Sequence, residues 1–451
     1  MPSKKTKDSK SQTPPYVPKR QNPDQLRSTH RKKLFLTWLL IFSAAGLFIV
    51  PVSLAIVHSM SRAPAPVYTT TFVPVPIPTP TPTPIQQPLT RFSFEPWVNP
   101  MEGMVFSQLT GLPIPEEVDF LRPIAVVVNN HSRALPQSGI IDAEVIYEVL
   151  AEGNITRLVV IHQQLESPMI GPVRSTRQYF ADFAMEKDAI FAHHGGSPSG
   201  YARLRQYRID ALDGMNLEGT TFWRDPERFR IPMLIEHSSY TSAERIEAAV
   251  ETRNIRRERY ADDGIGFSFN RSRDTFEEIA QASGGDFSPC WELIVPFSTA
   301  YPRTFVYDPE TMTYVVYNVY GPHVDRNVLE DPDVEDESLA QVRATNILVQ
   351  LTSTWIVPGD AEGRREVTTV GSGYGYLATQ GGIVNVRWTR DSIETPTRWY
   401  FMNGDPLLLT PGQTWICIIS ENATIEIITE EPEREDPPLL RESRGTDETD
   451  E

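Results

Sequence analysis

The sequence predicts an α+β protein: an N-terminal transmembrane helix, then a mixed α/β sandwich domain and a β-rich C-terminal domain. Three observations carry this. Residues 34–57 contain no charge. Strand-like and helix-like segments alternate between residues 103 and 288. After residue 289 nearly every apolar segment reads as strand.

The apolar run Leu34–Val57 has 24 residues. As a helix it measures about 36 Å, enough for a hydrocarbon core of about 30 Å. Residues 1–33 carry ten Lys/Arg against two Asp. Such a basic flank stays cytoplasmic, so the rest of the chain is expected outside. The long basic region and the 24-residue run exceed signal-peptide dimensions, which favours a retained signal anchor over a cleaved one. The expected location is therefore a cell membrane, single-pass, with membrane contact through residues 34–57.

Residues 58–102 follow, with eleven prolines between 63 and 100. Proline lacks a backbone N–H, so this stretch is expected as an extended polyproline II stalk. The net charge of −17 conceals an asymmetry. The first 33 residues hold +8, which leaves −25 for the remainder. An acidic exterior argues against nucleic acid as a partner. Residues 430–451 hold ten acidic residues against three Arg and are expected to be a disordered tail.

In the region 103–288, Pro123–Asn129 is a continuous apolar run, as in a strand buried on both faces. Glu144–Val149, Arg157–His162 and Asp188–His194 are further strands. Ser175–Lys187 places Tyr179, Phe180, Phe183 and Ala184 at helical spacing. Ser199–Tyr207 reads as a short helix. Thr241–Tyr260 reads as the longest helix, with Thr241 and Glu244 as a capping box. In the region 289–429, strands are expected at Arg303–Asp308, Thr313–Tyr320, Thr345–Val357, Gly382–Thr389 and Ala423–Thr429. Asp308–Thr311 is expected to turn a hairpin.

Cys290 and Cys417 are the whole cysteine supply. An oxidising exterior allows one disulfide between them; their apolar surroundings suit two buried free thiols equally.

Three polar clusters could carry chemistry. The first is His193-His194-Gly195-Gly196-Ser197, after a strand and before a helix. Its glycines let backbone approach a ligand, or serve only a turn with positive φ. The second is Gly171–Arg177, where Arg174 and Arg177 suit a phosphate or carboxylate. The third is Asn129 and Asn130 at the end of the buried strand, with Glu148 and Asp225 as further polar candidates. Five of eight histidines lie in this half, but no local spacing joins them as ligands, so no metal and no cofactor is expected. No nucleophile motif is present.

Two readings of function follow. One is a noncatalytic envelope module binding a wall component, a glycan or a protein partner. The alternative is an enzyme acting on a phosphate-bearing or anionic envelope substrate. There Arg174 and Arg177 would clamp the anion, the 195–199 loop would donate backbone N–H groups, and His193, Glu148 or Asp225 would move the proton.

The segments RPIAVVVNN, IGPVRSTRQYF, DAIFAHHGGSP, FWRD and HSSYTS, followed by YDPETMTY, GPHVDR, NILVQ and LLLTPGQTWI, resemble the YerB-type family of bacterial extracytoplasmic proteins. The resemblance spans about residues 103–420. It implies two domains and a cell-envelope location, and the family is one of unknown function. Members are often lipoproteins with a Cys after the signal; here no Cys precedes 290, so the helix is expected to replace the lipid. The family's usual His-Asn stands here as His237-Ser238, and residues 326–342 form an acidic insertion-like loop.

Overall fold

The computed structural model describes residues 100–260, 264–330 and 340–431. The expected anchor at 34–57, its basic flank, nearly all of the proline-rich stretch and the acidic tail beyond 431 lie outside these residues, as does most of the acidic loop. Among the described residues no helix is long and apolar enough to cross a membrane.

The fold is α+β with a β-rich C-terminal region. Its first half contributes β1 (Ile124–Asn129), β2 (Val145–Leu150), β3 (Thr156–His162), α1 (Gln178–Met185), β4 (Ile190–His193), α2 (Pro198–Tyr207), β5 (Ala211–Asp213) and α3 (Ala243–Thr252). α4 (Phe276–Ala282) leads to the second half. There stand β6 (Glu292–Ser298), β7 (Tyr301–Asp308), β8 (Thr313–Asn318), β9 (Asn346–Thr352), β10 (Gly371–Thr379), β11 (Gly382–Arg390), β12 (Arg398–Phe401), β13 (Thr414–Ser420) and β14 (Glu426–Ile428).

Strands from both halves join one 11-stranded sheet, whose path includes β11-β10-β9-β13-β2-β3-β1-β4-β5. The junction is β13, parallel to β9 on one side and to β2 on the other. Its run TWICII is buried, so both of its edges and both of its faces are covered. In the sequence the same run stands out only as the apolar surroundings of Cys417. A second sheet of six strands holds β8-β7-β6-β14. β6 alternates buried and half-buried residues, as a strand with one packed face must.

The pleat of β1 sends Ala125 and Val127 to one core and Ile124, Val126 and Val128 to the other. The first core receives Tyr179, Phe180 and Phe183 from α1. The second receives Ile246, Ala249 and Val250 from α3, and Leu293, Val295 and Phe297 from β6. Truncating a side chain as buried as Phe180 costs about 3–5 kcal/mol.

Two local expectations change. The helix expected at 241–260 spans only 243–252, and its N-cap is Ser242, whose hydroxyl accepts from the Arg245 N–H. Thr241 is instead held by backbone pairing with Ile170, and its hydroxyl donates to the Thr221 carbonyl. The helix stops where Asn254 takes a left-handed φ of 53°. A full capping box does exist, at Thr275 and Glu278 before α4. Cys290 and Cys417 are free and buried, which decides between the two alternatives left open for them.

Candidate functional site

A cleft of about 700 Å³ opens where β1 ends. It is ringed by Arg133, Arg157, Arg174, Arg177 and Arg364. Glu152, Glu236 and Glu362 also line it, so arginine outnumbers carboxylate on a chain of net charge −17.

The sheet places these groups. Asn129, the last residue of β1, is paired in register with Arg157 of β3. The segment after the Gly171-Pro172 peptide runs beside β1: the Arg174 N–H donates to the Val127 carbonyl at 2.8 Å. Arg174 and Arg177 are thereby delivered beside Arg157. Glu152 sits in the turn between β2 and β3, where Gly153 and Asn154 take left-handed φ values of 66° and 58°. Arg364 arrives from the second half of the chain.

The arginines are not equivalent. Arg177 grips Glu152 with two nitrogens, Nη2 lying 2.6 Å from Oε2. Arg157 reaches the same carboxylate at 3.1 Å and donates to the Ser175 carbonyl at 2.9 Å. Both are nearly buried, so this trio is framework. Burial, with the Arg177 charge next, lowers the Arg157 guanidinium below its usual value, yet it remains a cation at neutral pH. Arg174 differs: it pairs at 2.5 Å with Glu236, a carboxylate 67 % exposed. An exposed pair of this kind is worth about 0–1 kcal/mol, so an incoming anion can replace Glu236. Of the three arginines brought together beside β1, Arg174 is the one most readily released to a ligand.

Two histidines complete the cleft. The Asn129 carbonyl oxygen accepts from the His131 N–H at 3.1 Å, which leaves its amide nitrogen to donate to His237 Nδ1 at 2.7 Å. His237 is therefore neutral, with its proton on Nε2. His131 Nδ1 accepts from the Arg133 N–H at 3.0 Å, so it too carries its proton on Nε2. Desolvation, then the charges of His131 and Arg174, lowers His237 to about 4. Desolvation and Arg133 lower His131. Both rings, 4.9 Å apart, are N–H donors in an arginine-rich site, the character an anion needs.

The residues singled out from sequence fall into two groups. Arg174, Arg177 and Asn129 line the cleft. His193, His194, Gly195, Gly196, Ser197, Asn130, Glu148 and Asp225 do not. His193 is sealed between Phe191 and Tyr201, its Nδ1–H donating to the Gly195 carbonyl at 2.8 Å. His194 bonds to the Ser239 hydroxyl and Arg224. Gly195 needs its φ of 76° for the turn, and its N–H goes to Asp213. Gly196 packs where a Cβ would lie 2.7 Å from Thr176. Ser197 caps α2. This loop thus serves the strand-to-helix turn. Asn130 donates to Glu148 and Thr156 beneath the cleft floor. Glu148 is locked to Arg303. Asp225 caps a short helix and pairs with Arg326 at 2.6 Å.

Sequence reasoning missed Arg157, Glu152 and Arg364 altogether. Arg157 carried one usable signal: a charged residue entering an otherwise apolar strand. Arg364 carried none, because nothing local ties it to residue 174.

Fold and cleft together define a two-part α+β protein built around one sheet, with an arginine-lined site at the end of a buried strand. The first part, residues 109–256, matches the N-terminal domain of a protein family of unknown function, DUF3048, and residues 293–416 match its C-terminal domain. The chain belongs to this YerB-type family. It is 31 % identical over 317 residues to YerB of Bacillus subtilis (strain 168), named as a candidate lipoprotein; the alignment covers 69 % of this chain and 86 % of that one. The solved structure of the Bacillus subtilis YerB protein superimposes with a TM-score of 0.59 at 29 % identity, covering 71 % of this chain and 99 % of that one.

Proposed function

We propose that this chain is a membrane-tethered, extracytoplasmic envelope protein that binds an anionic envelope component in the arginine cleft. The observation that carries the reading is Arg174. Beside it, Arg157 and Arg177 are buried and share Glu152, while Arg174 itself is paired only to an exposed glutamate. The naming of the Bacillus relative as a candidate lipoprotein supports an extracytoplasmic place. The apolar run at 34–57 supplies the tether here. A phosphate or carboxylate would take two donors from the Arg174 fork and further N–H groups from His131 and His237. Hydrolysis is not part of this reading, since Glu148 and His193 are bonded elsewhere.

The test is titration of the full chain, held in a phosphatidylcholine nanodisc, with glycerol 3-phosphate and with poly(glycerol phosphate). The expected result is saturable binding that weakens at least about tenfold in Arg174→Ala. Equal binding by the two proteins overturns the reading.

A further inference from the structure

The rim of the cleft carries an apolar strip that the fold does not use. Phe229, Ile231, Met233 and Ile235 are 47 %, 48 %, 61 % and 40 % exposed. They alternate along one short segment, and Arg230 among them is also exposed. The segment is not a loose end. Arg228 donates to the carbonyls of Arg133, Leu135 and Pro136, which ties it to the loop after β1. The 3-10 turn Pro232–His237 then passes from strip to site: Met233 stands on the rim, while Glu236 and His237 face the arginines. Exposed apolar side chains held beside a cationic cleft mark an interaction surface, not core packing.

We infer that the ligand is an amphiphile, a phosphate-bearing lipid: its phosphate enters between Arg174 and His237 while its chains lie on the Ile231–Met233 strip. This deepens the anion-binding reading and rests on it. Three features favour a lipid over a soluble phosphate or a protein. The charge of the cleft complements a phosphate monoester or diester. Met233 of the strip and Arg174 line the same cleft, so apolar and cationic surfaces adjoin. A short segment with Arg230 between apolar residues suits the headgroup boundary of a bilayer, where arginine stays hydrated while its neighbours are buried.

The experiment compares one phosphate with and without chains. Full-length protein in a phosphatidylcholine nanodisc is titrated with dihexanoyl phosphatidic acid and with glycerol 3-phosphate. The expected result is about tenfold tighter binding of the lipid. Phe229→Ser/Ile231→Ser, both at exposed positions outside the cleft lining, should remove that preference and leave glycerol 3-phosphate affinity unchanged. Arg174→Ala should weaken both ligands. Equal affinity of the two ligands for wild type overturns the inference while leaving anion binding intact. So does a lipid preference that survives in the double variant, which would leave the strip to a protein partner. Binding of neither ligand overturns the parent reading and this inference with it.

Discussion

Glu148 of β2 and Arg303 of β7 form an ion pair of 2.8 Å with side chains 1 % and 3 % exposed. It fastens the large sheet to the smaller one. The remaining capacity of the carboxylate is filled by Thr156, Asn130 and the Trp415 indole N–H. Arg303 also donates to His323. A charge pair this dry survives only because every partner is present.

Removing one member should therefore be severe. Glu148→Ala leaves the Arg303 guanidinium buried and unpaired, with an expected loss of about 3–5 kcal/mol in a denaturant titration. Glu148→Leu/Arg303→Met should recover most of it. Trp415 fluorescence reports the transition, because that indole touches the same carboxylate. If Glu148→Ala unfolds at the wild-type midpoint, the pair is not a structural lock.

Glu152 holds Arg157 and Arg177 in partial neutrality. Glu152→Gln should raise the affinity for a phosphate, by roughly tenfold, because one negative charge leaves the cleft. The same change should cost about 1–3 kcal/mol of stability through the lost charge-assisted bonds. Calorimetric titration with glycerol 3-phosphate and a thermal melt measure the two effects. Weaker binding would place the anion away from this trio.

The histidines set a pH dependence with a definite sign. Burial chiefly depresses His237, to about 4, and depresses His323 well below the usual range. The unfolded chain takes up these protons near pH 6.5, while the folded chain does not. Stability is then full above about 6.5 and declines as pH falls toward 4. Asp325, pushed up to about 6 by burial, contributes with the opposite sign. Comparing melts of wild type and His237→Gln across this window isolates the histidine. The variant should have the shallower slope; an unchanged slope would mean His237 titrates normally.

Both thiols should be inert in the native state. Burial pushes Cys290 up to about 12 and Cys417 well above its usual value, so neither supplies thiolate at neutral pH. A maleimide without reductant should label no cysteine in the folded protein and both after denaturation. A label on Cys417 before unfolding would show that β13 opens.

Much of the fold was legible because it is written in local patterns. The buried run of β1 and the helical spacing of Tyr179, Phe180 and Phe183 each follow from short-range patterning. The cap expected at Thr241 falls one residue later, at Ser242, because Thr241 is held in backbone pairing with Ile170. β13 reads in sequence only as the apolar surroundings of Cys417; its place between β9 and β2 comes from long-range pairing.

The sequence by itself determined the α+β class, the family, and the suspicion attached to Arg174, Arg177 and Asn129. The tertiary structure alone decided which suspects meet. It put Arg157 opposite Asn129 and carried Arg364 across the chain. It withdrew Glu148, Asp225 and the histidine-glycine loop into bonds of their own. The reason is physical: a charge becomes available to a ligand through what else is within about 4 Å of it. That neighbourhood is set by strand register and long-range pairing, which no local stretch of sequence encodes.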